Sequence, residues 1–287
     1  MKKSKEVLFK RIYVEITNRC NLQCTFCPPV KRIYQDMTLD KFEQIITKIK
    51  PYTNYVYLHL KGEPLIHPQF GEILQICNQY QMNVNLTTNG VHLVKQMELL
   101  FESPPIKRIN ISFQSLINLT DNQRDSYLSN LKLFLKKAAL EQKFYLSLRL
   151  WNNQNNPSVK SLNQMVIKFL EDIFEVKIST HPSDKPIHPM IYLSQEDEFQ
   201  WPSLNQKINH GPVKCLGGKQ HIAILVDGTV AICCLDQEGI TNLGNIFSSS
   251  MLDILSSNKY QQTISLFNQN KAYLDLCKHC SYHKRFK

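Results

Sequence analysis

The sequence predicts an α/β fold: a partial (β/α)6 barrel followed by a small C-terminal unit built on a hairpin and helices. From residue 11 to about 195, short apolar alternations of period two take turns with stretches of helical period. That regular strand–helix order argues for a parallel sheet wound by crossover helices, with the working end at the carboxyl ends of the strands. Beyond residue 195 the pattern changes, and six strands rather than eight leave the barrel open.

Each element has its own signal. RIYVEIT, residues 11–17, alternates as a strand, and Thr38 is placed to cap a helix through LDKFEQIITKI. NYVYLHL is the second strand, residues 68–80 a helix, and NVNLTT the third strand. A helix around VKQMELLF, the strand KRINISF, a long helix over about 119–142, the strand FYLSLRLW, a helix SLNQMVIKFLEDIF and a last strand near MIYLS complete the barrel. Residues 1–195 are thus the barrel domain. Residues 196–214 read as a linker that packs Phe199 and Trp201 onto it. Residues 215–287 form the C-terminal domain, in which HIAILVDGTVAICC turns at Asp227–Gly228 as a hairpin. Short helices at MLDILSS and KYQQTISLF follow.

With 287 residues, 43% of them hydrophobic, the chain can bury a sizeable core. No run of 18 apolar residues and no signal-type N-terminus occurs, so a cytoplasmic protein without a membrane partner is expected. Nine cysteines in such a chain point to metal binding rather than disulfides. The formal charge of +10 is concentrated at the ends: Lys2, Lys3, Lys5, Lys10 and Arg11 against Glu6, and Lys278, Lys284, Arg285 and Lys287 against no acid. Solvated tails are one reading of those ends; binding of RNA, an acidic peptide or a phosphorylated substrate is the other.

Cys20-x3-Cys24-x2-Cys27 follows the first strand directly. Three thiols leave one metal position open, which suits a catalytic zinc or an iron–sulfur cluster. With Phe26 just before the third cysteine, this spacing resembles the signature of the radical SAM superfamily. The resemblance implies a four-iron (4Fe-4S) cluster on Cys20, Cys24 and Cys27, with S-adenosylmethionine on the open iron. It also implies an external one-electron reductant such as flavodoxin or ferredoxin, and a 5'-deoxyadenosyl radical that abstracts hydrogen from a substrate. Gly62, Glu63 and Pro64 resemble the motif that holds the methionyl amino group, with Lys61 where the family often has another glycine. Thr87, Thr88 and Asn89, then Ser112 and Gln114, end the third and fourth strands as cofactor-binding residues. Arg149 and Asn152, after the fifth strand, face the cofactor carboxylate or the substrate, and Arg149 is the candidate catalytic base.

A second constellation, Cys215, Gly228, Cys233 and Cys277-x2-Cys280, resembles the SPASM/twitch extensions of that superfamily. Only seven residues follow Cys280, which implies the shorter twitch form: one auxiliary four-iron cluster on Cys215, Cys233, Cys277 and Cys280, with Cys234 as the alternative to Cys233. Zinc at these four thiols is the competing reading. Cys77 lies on an amphipathic helix as a buried apolar residue. His279 and His283 are surface or supporting groups, and His59 and His67 flank the glycine motif as acid–base candidates. A closed auxiliary cluster has no iron open to substrate and suits electron transfer. The implied reaction is therefore oxidation of a small polar metabolite or an amino-acid side chain. Modification of a peptide or RNA is the alternative, and a first strand near residue 11 speaks against an N-terminal peptide-recognition domain. A non-enzymatic zinc-binding interaction protein is the reading from a different class.

Overall fold

The structure, a computed structural model, describes residues 8–152, 156–179 and 183–286. Lys2, Lys3, Lys5, Glu6 and Lys287 of the basic ends lie outside them. β1 (Arg11–Val14) puts Ile12 and Val14 into the main core, while Tyr13 on its other face joins a small separate cluster with Tyr57, Leu60 and Cys234. That second face is the barrel lumen. α1 (Leu39–Ile49) opens on Thr38, whose hydroxyl accepts the Lys41 N–H. Its Phe42, Ile45, Ile46 and Ile49, at helical spacing, are wholly buried against the sheet.

β2 (Tyr55–Tyr57), α2 (Phe70–Gln79), β3 (Asn83–Thr88), α3 (Met97–Glu102), β4 (Ile106–Ser112), α4 (Asp121–Glu141), β5 (Tyr145–Trp151) and α5 (Pro157–Phe174) follow in the expected alternation. α4 starts on a capping box between Thr120 and Gln123, and α5 on the Asn156 side chain with Pro157 in its first turn. β6 (Ser183–His188) and β7 (Ile191–Glu196) form a hairpin. β1, β2, β3, β4, β5 and β7 pair in parallel in that order, the six strands of the partial barrel.

β6 has no counterpart in the sequence reading. It carries Pro186 and no apolar alternation, and it forms only because it is the edge strand, where a missing N–H costs no second ladder.

The C-terminal region joins the sheet rather than standing apart from it. β8 (His221–Ile224) pairs in parallel with β1, from Arg11 opposite His221 to Val14 opposite Ile224, and Ile222 and Ile224 enter the same core. β9 (Thr229–Ala231) and β10 (Gly244–Asn245) extend the edge, and α6 (Met251–Ser256), α7 (Asn258–Asn268) and α8 (Asp275–Lys278) follow. The hairpin turns where Asp227–Gly228 predicts it. Gly228 has φ +86°, and a Cβ there would meet the Phe247 ring.

A buried ion pair pins this region to the cysteine loop. Glu15, beyond the end of β1, is bidentate to Arg32 at 2.8 and 2.7 Å and accepts the Val226 N–H at 3.0 Å. Arg32 Nε donates to the Gln237 carbonyl at 2.9 Å. Three segments far apart in sequence therefore meet on one carboxylate, whose geometry fixes their orientation more than it adds net stability.

Candidate functional site

Cys20, Cys24 and Cys27 lie on the loop that leaves the carboxyl end of β1; Cys20 is exposed and the other two are half-buried. The loop turns tightly, with the Cys27 N–H donating to the Cys24 carbonyl at 3.0 Å. Burial, then the neighbouring Cys27 and Cys20 sulfurs, pushes the Cys24 thiol up to about 12. A cysteine triad with no fourth protein ligand among the loop's thiols fits a four-iron cluster with one iron left for a small molecule.

The end of β2 packs beneath this loop. Gly62 has φ +72°, and a Cβ there would lie 2.6 Å from the Arg19 carbonyl oxygen and closer still to that of Thr17, so only glycine admits the approach. The Glu63 N–H donates to the Arg19 carbonyl at 2.8 Å, and its carboxylate accepts the N–H groups of Asn89 at 2.7 Å and Leu65 at 3.1 Å. Burial outweighs those bonds and raises the Glu63 carboxyl to about 7. Glu63 thereby locks the ends of β2 and β3 together, and Pro64 starts the short 3-10 turn that follows. Asn89 reaches back to the cysteine loop, donating to Asn21 Oδ1 at 2.8 Å, with Cys20 Sγ 3.9 Å away.

The other strand-end residues divide. The Thr87 hydroxyl contacts His59 Nε2 at 3.0 Å and accepts from Asn110 Nδ2 at 3.1 Å, while Thr88 accepts the Gly90 N–H at 3.0 Å. The Ser112 carbonyl accepts from Ser115 at 2.7 Å, and the buried Gln114 Oε1 has no protein partner. Phe26 is half-buried beside Cys27. Asn152 instead turns into the wall, its amide donating to Asn163 on α5 at 2.6 Å. Arg149 stacks over the Trp151 ring at 4.6 Å, and burial lowers its pKa; a guanidinium remains charged and does not serve as a base.

Lys61, noted in the sequence only as a departure from glycine, is a cysteine-loop partner. It is 5% exposed, its ammonium donates to Cys27 Sγ at 2.7 Å and to the Pro28 carbonyl, and it sits 5.4 Å over the Trp201 ring. The Trp201 ring also meets Phe199, centroids 5.1 Å apart and planes tilted by 54°. No spacing rule in the sequence signals these contacts, because they join residues 27, 61 and 201 only in space.

The second cysteine group encloses a cavity of about 130 Å³ lined by Cys215, Cys233, Cys234, Cys277 and Cys280, together with Arg11, Tyr13, His221 and Tyr282. The N–H groups of Gly217 and Leu235 donate to Cys215 and Cys233 sulfur at 3.3 and 3.5 Å, contacts that suit thiolates on a cluster. Cys233, like Cys215 and Cys277, packs against the main core, whereas Cys234 packs against the Tyr13 cluster in the lumen. Cys234 is held below the usual thiol range by the Cys233 thiol that donates to it, and then by contacts with His221 and Tyr13. His221, Cys233 and Cys234 are close enough to share one ion. The cavity thus adjoins the lumen through Tyr13 and Cys234.

The remaining histidines and Cys77 lie elsewhere or act in packing. His67 contacts the Met37 carbonyl at 3.0 Å, His279 contacts the Gln206 carbonyl, and His283 is buried at the cavity edge. Cys77 is fully buried. His59 faces the lumen, and burial, then Arg149 and Arg11, push it down to about 3, so it stays neutral and is a poor proton acceptor.

Residues 14–131 match the Radical SAM superfamily and residues 215–281 the SPASM iron–sulfur cluster-binding domain. A GTP 3',8-cyclase of Aquifex aeolicus is 34% identical over 124 residues, 40% of this chain and 38% of that protein. A tungsten-containing aldehyde ferredoxin oxidoreductase cofactor-modifying protein of Pyrococcus furiosus is 32% identical over 94 residues, 31% of this chain and 26% of that one. The matched stretches therefore span well under half the length of these curated relatives. Among solved structures, anSMEcpe with bound AdoMet and a Cp18Cys peptide superposes with a TM-score of 0.62 at 15% identity over 94% of this chain and 88% of that one. BtrN in complex with AdoMet and 2-DOIA gives 0.58 at 16% identity over 96% and 93%. At these identities the likeness is one of fold.

Proposed function

We propose that this radical SAM protein, with its C-terminal SPASM-type iron–sulfur domain, oxidises its substrate and passes the released electron to the auxiliary cluster. The radical SAM domain implies a four-iron cluster and S-adenosylmethionine, and the SPASM domain an auxiliary iron–sulfur cluster. When bound, these groups supply a 5'-deoxyadenosyl radical for hydrogen abstraction and an acceptor for the electron that the substrate radical gives up.

The observation that carries the reading is that the auxiliary cavity opens onto the barrel lumen: Tyr13 and Cys234 belong to the lumen cluster and also line that cavity. A substrate in the lumen is then within reach of both cysteine sites. We assign Cys20, Cys24 and Cys27 to the first cluster and Cys215, Cys233, Cys277 and Cys280 to the second. Cys233 is preferred to Cys234 because it packs against the main core as Cys215 and Cys277 do, whereas Cys234 packs in the Tyr13 cluster. Gly62 and Pro64 bring backbone groups to the first cluster for the cofactor's amino group. Glu63 holds that segment in place, and Thr87, Thr88, Asn89, Ser112 and Gln114 line the strand ends that the cofactor would cross. A one-electron reductant such as flavodoxin or ferredoxin and a cytoplasmic location fit this chemistry. No helix among the described residues is long and apolar enough to cross a membrane.

Anaerobic reconstitution tests the proposal. About eight irons per chain and reductive formation of 5'-deoxyadenosine, with an oxidised product once substrate is supplied, are expected. Stoichiometric zinc without cleavage of S-adenosylmethionine would overturn it.

A further inference from the structure

The basic C-terminal end is one half of a larger surface. From Phe199 to Val226, and again from Leu276 to Phe286, the chain carries no aspartate or glutamate. These two acid-free segments lie together: the Asn209 N–H donates to the Lys278 carbonyl at 2.8 Å, and His279 contacts the Gln206 carbonyl. Between them opens a recess of about 510 Å³ lined by Lys207, Ile208, His279, Cys280 and Lys284. Cys280 also lines the auxiliary cavity, so the recess and the cavity share that half-buried residue as a wall.

The charge on this surface is unbalanced. Among the described residues Lys207 and Lys284 are exposed and take part in no ion pair, whereas Asp275 takes Lys278 and Glu196 takes Arg285. The exposed Asp197 and Glu198 precede the first segment, and neither lines the recess. Leu204 and Ile208, 47% and 48% exposed, add an apolar patch to the same loop. Apolar side chains rimmed by charge are the composition of a protein-docking face. Unpaired cations at its edge draw in a partner of opposite charge from about a Debye length away.

We propose that this face docks an acidic one-electron carrier protein, which takes an electron from the auxiliary cluster on the Cys280 side. The role of the carrier rests on the oxidative reading above; the docking face stands on its own surface chemistry. The electron count calls for such a partner. One electron from a reduced carrier is consumed in cleaving S-adenosylmethionine. The substrate then loses a hydrogen atom to the deoxyadenosyl radical, and afterwards a proton to solvent and an electron to the auxiliary cluster. That electron has to leave for an oxidised carrier before the next turnover. A carrier seated in the recess meets a cluster ligand directly, which keeps the transfer path short. An RNA backbone would use the cations and leave Leu204 and Ile208 unmatched, so a folded acidic protein fits the face better.

Surface plasmon resonance of the full-length, reconstituted protein over immobilised oxidised flavodoxin tests the face at low and at physiological ionic strength. Saturable binding that weakens with salt is expected. Lys207→Glu combined with Lys284→Glu should lower the association rate at low salt by about tenfold or more. Lys132→Glu combined with Lys136→Glu changes the net charge equally on the exposed side of α4, away from the recess, and should have a much smaller effect. Ile208→Ser should act on dissociation instead and shorten the life of the complex. In stopped flow, reduction of the flavin by the pre-reduced protein should slow in the Lys207/Lys284 variant by the same factor as association. Absence of salt-sensitive binding, or equal effects of the two double variants, would overturn the docking face. Tighter binding of a short labelled RNA that the Lys207/Lys284 variant loses would overturn it too, by giving the surface to nucleic acid. Formation of 5'-deoxyadenosine with dithionite as reductant is measured alongside. Its absence in the unsubstituted protein would count against the radical reading and leave the binding result standing.

Discussion

The two cysteine sites differ in how they are built. The first is a short loop whose three thiols are consecutive in sequence, partly open to solvent and held from below by Gly62, Glu63 and Lys61. The second draws its thiols from residues 215, 233, 277 and 280 and closes them around a cavity that the sheet itself walls. On the proposed reading, the open site leaves a metal position for a small molecule, and the closed one, its metal filled by protein, would serve electron transfer. The difference lies less in the ligands than in what packs against them.

The comparison breaks most completely at the ligands. Cys24→Ala should remove about half of the iron and abolish 5'-deoxyadenosine formation, whereas Cys277→Ala should remove a similar half while cleavage of S-adenosylmethionine persists. Equal loss of cleavage in both variants would show that the sites do not divide the chemistry.

Next in size is the ion pair that joins them. Arg32→Met leaves the fully buried Glu15 without its partner and should cost about 3–5 kcal/mol, read as a fall in the denaturation midpoint of the cluster-free protein. An unchanged midpoint would mean that the cysteine loop and the β8–β9 hairpin are not coupled through Glu15. Gly62→Ala forces a side chain into a left-handed residue against two carbonyls. It should cost about 1–3 kcal/mol and lower iron retention at the first site while sparing the second. Equal losses at both sites would speak for general unfolding instead.

The smallest effect concerns tuning. Lys61→Met removes a buried positive charge beside Cys27, so the reduced, more negative cluster loses stabilisation. The midpoint potential of the first cluster should fall by on the order of 50 mV, a little under the 59 mV of a tenfold one-electron shift, while that of the second stays put. Electron paramagnetic resonance during a redox titration reads both. A potential that holds or rises would remove Lys61 from the cluster's electrostatics.

Wherever chemistry depends on neighbours along the chain, the sequence was legible. The alternation at residues 11–17, the Thr38 cap, the Asp227–Gly228 turn and the cysteine triplet with Phe26 are local patterns. Each reflects a backbone preference or a ligand spacing that short segments carry with them. β6 was illegible because its edge position, not its composition, makes it a strand. Asn152 read as a strand-end cofactor residue, yet Asn163, eleven residues on, takes its amide. Arg149 read as a base, yet a guanidinium keeps its proton even where burial lowers its pKa.

By itself, then, the sequence determined the six-strand parallel barrel, the triplet at the carboxyl end of the first strand and the four-cysteine group behind it, because strand period and ligand spacing are written over a few residues. Only the tertiary structure decided that β8 lies against β1, that Lys61 meets Cys27, and that Glu15 gathers Arg32 and Val226. Those contacts join residues tens to hundreds of positions apart, and their energies depend on burial, which no local pattern records.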